Sequence, residues 1–220
     1  MRKIIGLCVL ILLSSSCISK YFQQKYYKDY YNPIKIQKVE YETQEKAFIE
    51  GITGFSYETP YCQSASLQTI HSLYTNTESI DYYNWIMGFT YGAYFHNYVG
   101  VWSFIPANDP ELGLKRASNH LGFNRKYYTS NNLNLYTQFV KHLLSNNNPI
   151  RVAVNSSVIQ NQEGFLPHSI VLLGYDLENI FYHETGGSDS IIKKHRGEKM
   201  SWETFIASVE SIREVSSYSL

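Results

Sequence analysis

Apolar residues recur at steps of three and four through 61–74, where Leu67, Ile70 and Leu73 fall on one side of a helix that has Cys62 in its first turn. Leu133 to Leu144 repeats that period and predicts another helix. Between the two, residues 79–96 are rich in Tyr and Phe around Gly88 and Gly92, which reads as a helical or bent segment packing aromatic rings against backbone. Asp109-Pro110-Glu111 offers a cap with proline at the first helical position, and that helix should stop near Leu121-Gly122.

After Asn146-Asn147-Asn148 the period shortens. Pro149 to Val154, His168 to Tyr175 and Asn179 to Glu184 are short β-type runs separated by turn residues, and Asp176-Leu177-Glu178-Asn179 is polar enough to fold the second onto the third as a hairpin. Ser201 is a candidate cap for a final helix opening at Trp202-Glu203-Thr204-Phe205. N-terminal helices followed by a small antiparallel sheet make an α+β domain, not a doubly wound parallel sheet.

The chain begins differently. Met1-Arg2-Lys3 and the apolar run Ile4 to Leu13 form a cationic head and a core too short to span a bilayer permanently, the pattern of an export signal. Ser14-Ser15-Ser16 before Cys17 resembles the lipobox of bacterial lipoproteins, in which the cysteine is acylated and becomes the new N-terminus. Ser14 stands where leucine is usual, and Leu13 lies one place further back. The expected organisation is a signal peptide over 1–16, a tether over 17–44 that can end in an edge strand, and one domain over 45–220. The expected address is the bacterial cell envelope, lipid-anchored, or secreted if Cys17 is not acylated.

Charge and composition narrow the chemistry. The 220 residues carry 19 basic and 19 acidic groups, so no basic field exists for nucleic acid. Losing Arg2 and Lys3 with the signal leaves a slightly acidic chain, so the N-terminal lipid is the expected membrane attachment. Hydrophobic residues at 44% and charged residues at 17% support a packed core. Three cysteines, Cys8, Cys17 and Cys62, are too few and too scattered for a disulfide framework or a thiolate metal site. His71, His96, His120, His142 and His195 share no ligand spacing, so neither metal nor cofactor is expected. His183 is expected on the outward face of its strand, Gly186-Gly187 reads as a turn, and the rings from Tyr82 to Tyr98 as core or cleft wall.

Cys62 remains. A thiol attacks as thiolate, and a helix N-terminus or a neighbouring imidazolium favours that form. His168 opens an apolar strand, and Glu184 follows on the neighbouring strand, where a carboxylate can orient an imidazole. Nucleophile on a helix, base and orienter on a sheet, is the layout of thiol proteases.

Tyr61 to Leu67, His168 to Asp176 and Ile180 to Thr185, together with Leu114 to Gly122 and Pro149 to Asn155, resemble the signature stretches of the butirosin-biosynthesis H N-terminal family. That family lies in the papain-like group, which also holds the double-glycine leader peptidases of bacteriocin exporters. The resemblance implies a papain-like fold with Cys62 as nucleophile, His168 as general base and Glu184 as orienting acid, acting on a peptide or acyl substrate. Three positions depart from the family. Glu184 replaces the usual Asp, so its extra methylene is expected to need a strand shift. Ser56 stands where papain-like enzymes carry an oxyanion glutamine, and the expected substitute donor is Ser56 or the backbone N–H groups at the head of the Cys62 helix. Tyr61 replaces a frequent histidine. The alternative reading is a catalytically inactive surface lipoprotein that uses the same cleft for binding.

Overall fold

A computed structural model of the protein describes residues 33–57, 61–87, 110–186 and 197–220. The signal segment, Cys17, His96, Asp109, Gly187 and His195 lie outside the described residues, as do residues 88–98 of the aromatic run.

Helices form over 62–71 and 133–145, where the apolar period predicts them, and at the two expected caps, while the segment from residue 80 begins as a helix and a short turn at 156–159 is unexpected. They are α1 (Cys62–His71), α2 (Ile80–Met87), α3 (Pro110–His120), α4 (Leu133–Ser145), a single turn α5 (Ser156–Ile159) and α6 (Trp202–Val209). In α4, Tyr136, Phe139, Val140, Leu143 and Leu144 are buried at steps of three and four. Asn132 caps it, its side-chain oxygen accepting the Leu135 N–H at 2.9 Å. Ser201 caps α6 in the same way through Thr204 N–H at 3.1 Å.

The sheet is larger than expected, and its strands interleave with the helices instead of following them. Its strands are β1 (Ile34–Lys35), β2 (Ala47–Phe48), β3 (Asn124–Thr129), β4 (Ile150–Asn155), β5 (Pro167–Tyr175), β6 (Asn179–Glu184), β7 (Glu198–Ser201) and β8 (Glu214–Ser219). They lie in the order β1-β3-β8-β4-β5-β6-β7, with β2 paired to β5. All of these pairings are antiparallel except β1 with β3. The expectation of N-terminal helices and a small sheet therefore needs correcting. The cause is local: β3, with the sequence Asn-Arg-Lys-Tyr-Tyr-Thr, has no apolar alternation, and β1 and β2 are two residues long, so none carries a readable period. The described end of the segment expected as a tether, from residue 33, does form an edge strand, since β1 pairs with Tyr128 and Thr129 at the end of the sheet and Ile36 is buried in the core.

Two apolar clusters sandwich the sheet. Ile170 and Leu172 on β5 join Phe139 and Val140 of α4 and Phe205 of α6 on one face. Val171 and Leu173 join Leu67 and Ile70 of α1, Met87 of α2 and Leu114 of α3 on the other. The alternation along β5 thus presses α1 against one side of the sheet, one residue out of phase with the strand's opposite face. The hairpin turn between β5 and β6 forms as predicted, with Asp176 Oδ1 accepting the N–H groups of Glu178 at 2.9 Å and Asn179 at 2.7 Å.

Candidate active site

Cys62 is the first residue of α1, half-buried, with a free thiol. No side chain caps this helix, and its first turn contains no acidic residue. The partial positive charge of its leading N–H groups therefore lies at the end of the helix that carries Cys62.

His168 is the second residue of β5, opposite Val154 of β4. The chain just before it is held firmly: Asn155 Oδ1 accepts the Leu166 N–H at 2.9 Å, and Ser156 N–H donates to the Leu166 carbonyl at 2.9 Å. The imidazole Nε2 is hydrogen-bonded to Glu184 Oε1 as an ion pair, and the two side chains are 8% and 22% exposed. Burial by itself disfavours a charged ring. The Cys62 thiol and the hydrogen-bonded Glu184 carboxylate, which both favour the charged ring, outweigh it and raise His168 to about 9. Burial likewise pushes Glu184 up, but the bond and charge of His168, the Gly186 N–H and the nearby His183 bring it below the ordinary carboxylate range.

The sheet register explains how a glutamate fills a place where aspartate is usual. Glu184 is paired with Ile170, two residues from His168, so acid and imidazole are diagonal neighbours on one face. Such neighbours are separated by about 7–8 Å between backbones, a distance that suits the longer side chain. No strand shift is needed at this point, because the pairing from Ile170 to Leu172 is regular and the bulge lies beyond it, between Leu172 and Gly174. Gly186 completes the arrangement. Its N–H donates to Glu184 Oε1 at 2.8 Å, and a Cβ there would lie 2.7 Å from His168 Cε1. The missing side chain is the space the imidazole occupies. Sequence reasoning saw only a turn here; the available signal was glycine two residues after the acid.

Two expectations change. His183 does not face outward but is fully buried, because residues 54–57 lie across β6. Tyr57 bridges to Gly186, Tyr57 N–H donates to the Thr185 carbonyl at 3.2 Å, and Gly54 lies directly against the His183 ring. Ser56, the candidate oxyanion donor, is buried, and its hydroxyl donates to the Glu184 backbone carbonyl while its oxygen sits 3.3 Å from His183 Nε2. With its one proton committed, Ser56 anchors the acid strand, and the N–H groups opening α1 are the donors left beside Cys62. Of the aromatic run, Tyr82, Tyr83 and Trp85 are described: Tyr83 is buried, packs edge-on against Tyr82 and shares a hydrogen bond of 2.7 Å with His71 Nδ1, whereas Trp85 is exposed.

The geometry thus brings Cys62, His168 and Glu184 together from three elements, with thiol, imidazole and carboxylate in series. No protein family's sequence profile matches the chain, and no curated protein does. Solved structures do. The peptidase domain of Streptococcus ComA, a bifunctional ABC transporter involved in a quorum-sensing pathway, superposes with a TM-score of 0.52 at 16% identity, over 77% of this chain and 98% of that one. A C39-like peptidase from Bacillus anthracis matches with a TM-score of 0.52 at 15% identity, over 80% of this chain and 98% of the other. The chain therefore has the papain-like fold of C39-type cysteine peptidase domains.

Proposed function

We propose that the protein is a cysteine peptidase or amidase that works through a Cys62 acyl-enzyme. The observation that carries this reading is the buried His168–Glu184 ion pair, with the Cys62 thiol at the head of α1 acting on the same ring. In the first step Cys62 passes its proton to His168 and the sulfur attacks the substrate carbonyl; a C–S bond forms, the C=O π bond opens, and the oxygen takes the negative charge beside the N–H groups of α1. His168 then gives its proton to the leaving amine as the C–N bond breaks. Water enters and its oxygen bonds to the acyl carbon as His168 takes one of its protons; the C–S bond then breaks, releasing the acid, and His168 returns that proton to the sulfur to regenerate the thiol. Glu184 keeps the ring in position throughout and stabilises its charge. An amine in place of water would make the same intermediate an acyl transfer, as the butirosin-type resemblance implies. The N-terminal signal and Cys17 favour an exported, lipid-anchored protein, and that address favours peptide over carrier-bound acyl substrates.

The test is alkylation of Cys62 by iodoacetamide at about pH 6, where an ordinary thiol with a pKa near 8.5 is almost fully protonated. Fast modification at Cys62, mapped by mass spectrometry and lost in His168→Ala, supports the enzyme. Reaction no faster than that of a free thiol refutes it. It would leave the second reading, a surface protein that binds through the same cleft, which the commitment of the Ser56 hydroxyl to Glu184 favours.

A further inference from the structure

Behind Cys62 runs a chain of three polar side chains from three elements. Ser66, one turn along α1, donates its hydroxyl to the Cys62 carbonyl at 2.7 Å. Its oxygen lies 2.8 Å from Ser169 Oγ on β5, and Arg151 Nε–H on β4 donates to that same Ser169 oxygen at 2.8 Å. Both serines are fully buried and Arg151 is 2% exposed.

The direction of the chain is forced. A carbonyl only accepts, so the Ser66 proton is spent on Cys62. The contact between the serines must then be donated by Ser169, whose oxygen is left to accept from Arg151. Ser169 also follows His168 directly, and its carbonyl accepts the hydroxyl of Thr185, the residue after Glu184. One buried serine therefore touches the helix of the thiol and the strands of the imidazole and the acid. Around it, Leu67, Ile70 and Val171 are apolar, and apolar packing alone is non-directional. Hydrogen bonds of fixed direction, costly to leave unmade in a dry interior, set a register that contacts among methyl groups do not.

We infer that Arg151, Ser169 and Ser66 are positioning residues that lock the Cys62 helix in register with the His168–Glu184 couple. This rests on the reading of Cys62 as nucleophile. None of the three touches substrate; they act through the placement of Cys62 and His168.

The experiment compares Ser66→Ala, Ser169→Ala, the double variant and His168→Ala by the iodoacetamide rate at Cys62 between about pH 5 and 8, alongside thermal unfolding. Each single relay variant should react about fivefold to tenfold more slowly in the acidic range, and its pH profile should move toward that of His168→Ala. The double variant should be no slower than the slower single, because the hydroxyls act as one chain. Profiles that superimpose on the parent's, with or without a fall in thermal midpoint, overturn the inference, as does a double variant whose loss is the product of the two single losses. Ser66→Ala keeps the proposal testable should Ser169→Ala fail to fold, since alanine is the best helix former. If His168→Ala itself leaves the parent profile unchanged, the thiol–imidazole reading falls and takes the relay with it. If His168→Ala slows the reaction and the serine variants do not, the relay alone falls.

Discussion

Gly186→Ala separates the position of the imidazole from the stability of the fold. Gly186 is not among the glycines with left-handed backbone, so alanine fits its main chain, and the N–H that holds Glu184 Oε1 is kept. The new methyl meets the imidazole: its Cβ would lie 2.7 Å from Cε1 and 3.3 Å from Nε2 of His168. Ordinary van der Waals contact requires the ring to retreat by roughly 0.7 Å, and with the side chain only 8% exposed it has little free space to retreat into. A displacement of about 1 Å at a reacting group typically costs on the order of a hundredfold in rate, so the Cys62 alkylation rate at about pH 6 should fall by roughly tenfold to a hundredfold. Stability should fall by no more than about 1–3 kcal/mol, the usual cost of overpacking one buried ring, partly offset by the roughly 0.4–1 kcal/mol that a compatible glycine-to-alanine exchange contributes through the unfolded chain. Mapped alkylation and a thermal melt on the same sample measure both quantities. An alanine variant that alkylates within about twofold of the parent would refute the claim that the empty space at 186 places the imidazole.

Three further outcomes follow from the same geometry. In Glu184→Asp the shorter carboxylate cannot span the diagonal to His168, so the alkylation profile should shift toward that of His168→Ala, read by the same pH series. The His168–Glu184 pair should also make stability depend on pH at both ends. A histidine raised to about 9 contributes fully below its unfolded value near 6.5, and the contribution is lost as pH rises through about 9. A carboxylate held low contributes above its unfolded value, and the contribution is lost as pH falls through the depressed one. The two limbs describe one interaction, so His168→Ala should flatten both in a plot of thermal midpoint against pH. Finally, Gly54→Ala drives a Cβ to 2.2 Å from the fully buried His183 ring, which has nowhere to go. It should cost about 3 kcal/mol and lower the thermal midpoint by about 6–12 °C, measured by calorimetry.

How far the sequence reached depended on how local the signal was. Helix α1 with Cys62 at its head, the β5–β6 hairpin with its aspartate-held turn, and the Ser201 cap were all legible, because each is set by residues within a few positions of one another. The first two already placed thiol, imidazole and acid on separate elements. The pairing of β1 with β3 and of β2 with β5 was not legible, since two-residue strands have no period and form only where a neighbour offers a free edge.

The site itself divides along the same line. Residue types and their order along the chain determined which groups do the chemistry, because a nucleophile, a base and an orienter are recognisable by what they are. Tertiary structure decided which neighbours make them work. It set the diagonal register that suits a glutamate, the gap at Gly186 into which the imidazole fits, the burial of His183 beneath residues 54–57, and the commitment of the Ser56 hydroxyl to a backbone carbonyl. Each of these is a contact between segments far apart in sequence. Their existence follows from how the sheet closes on its helices, and no local pattern of apolar and polar residues encodes that distance.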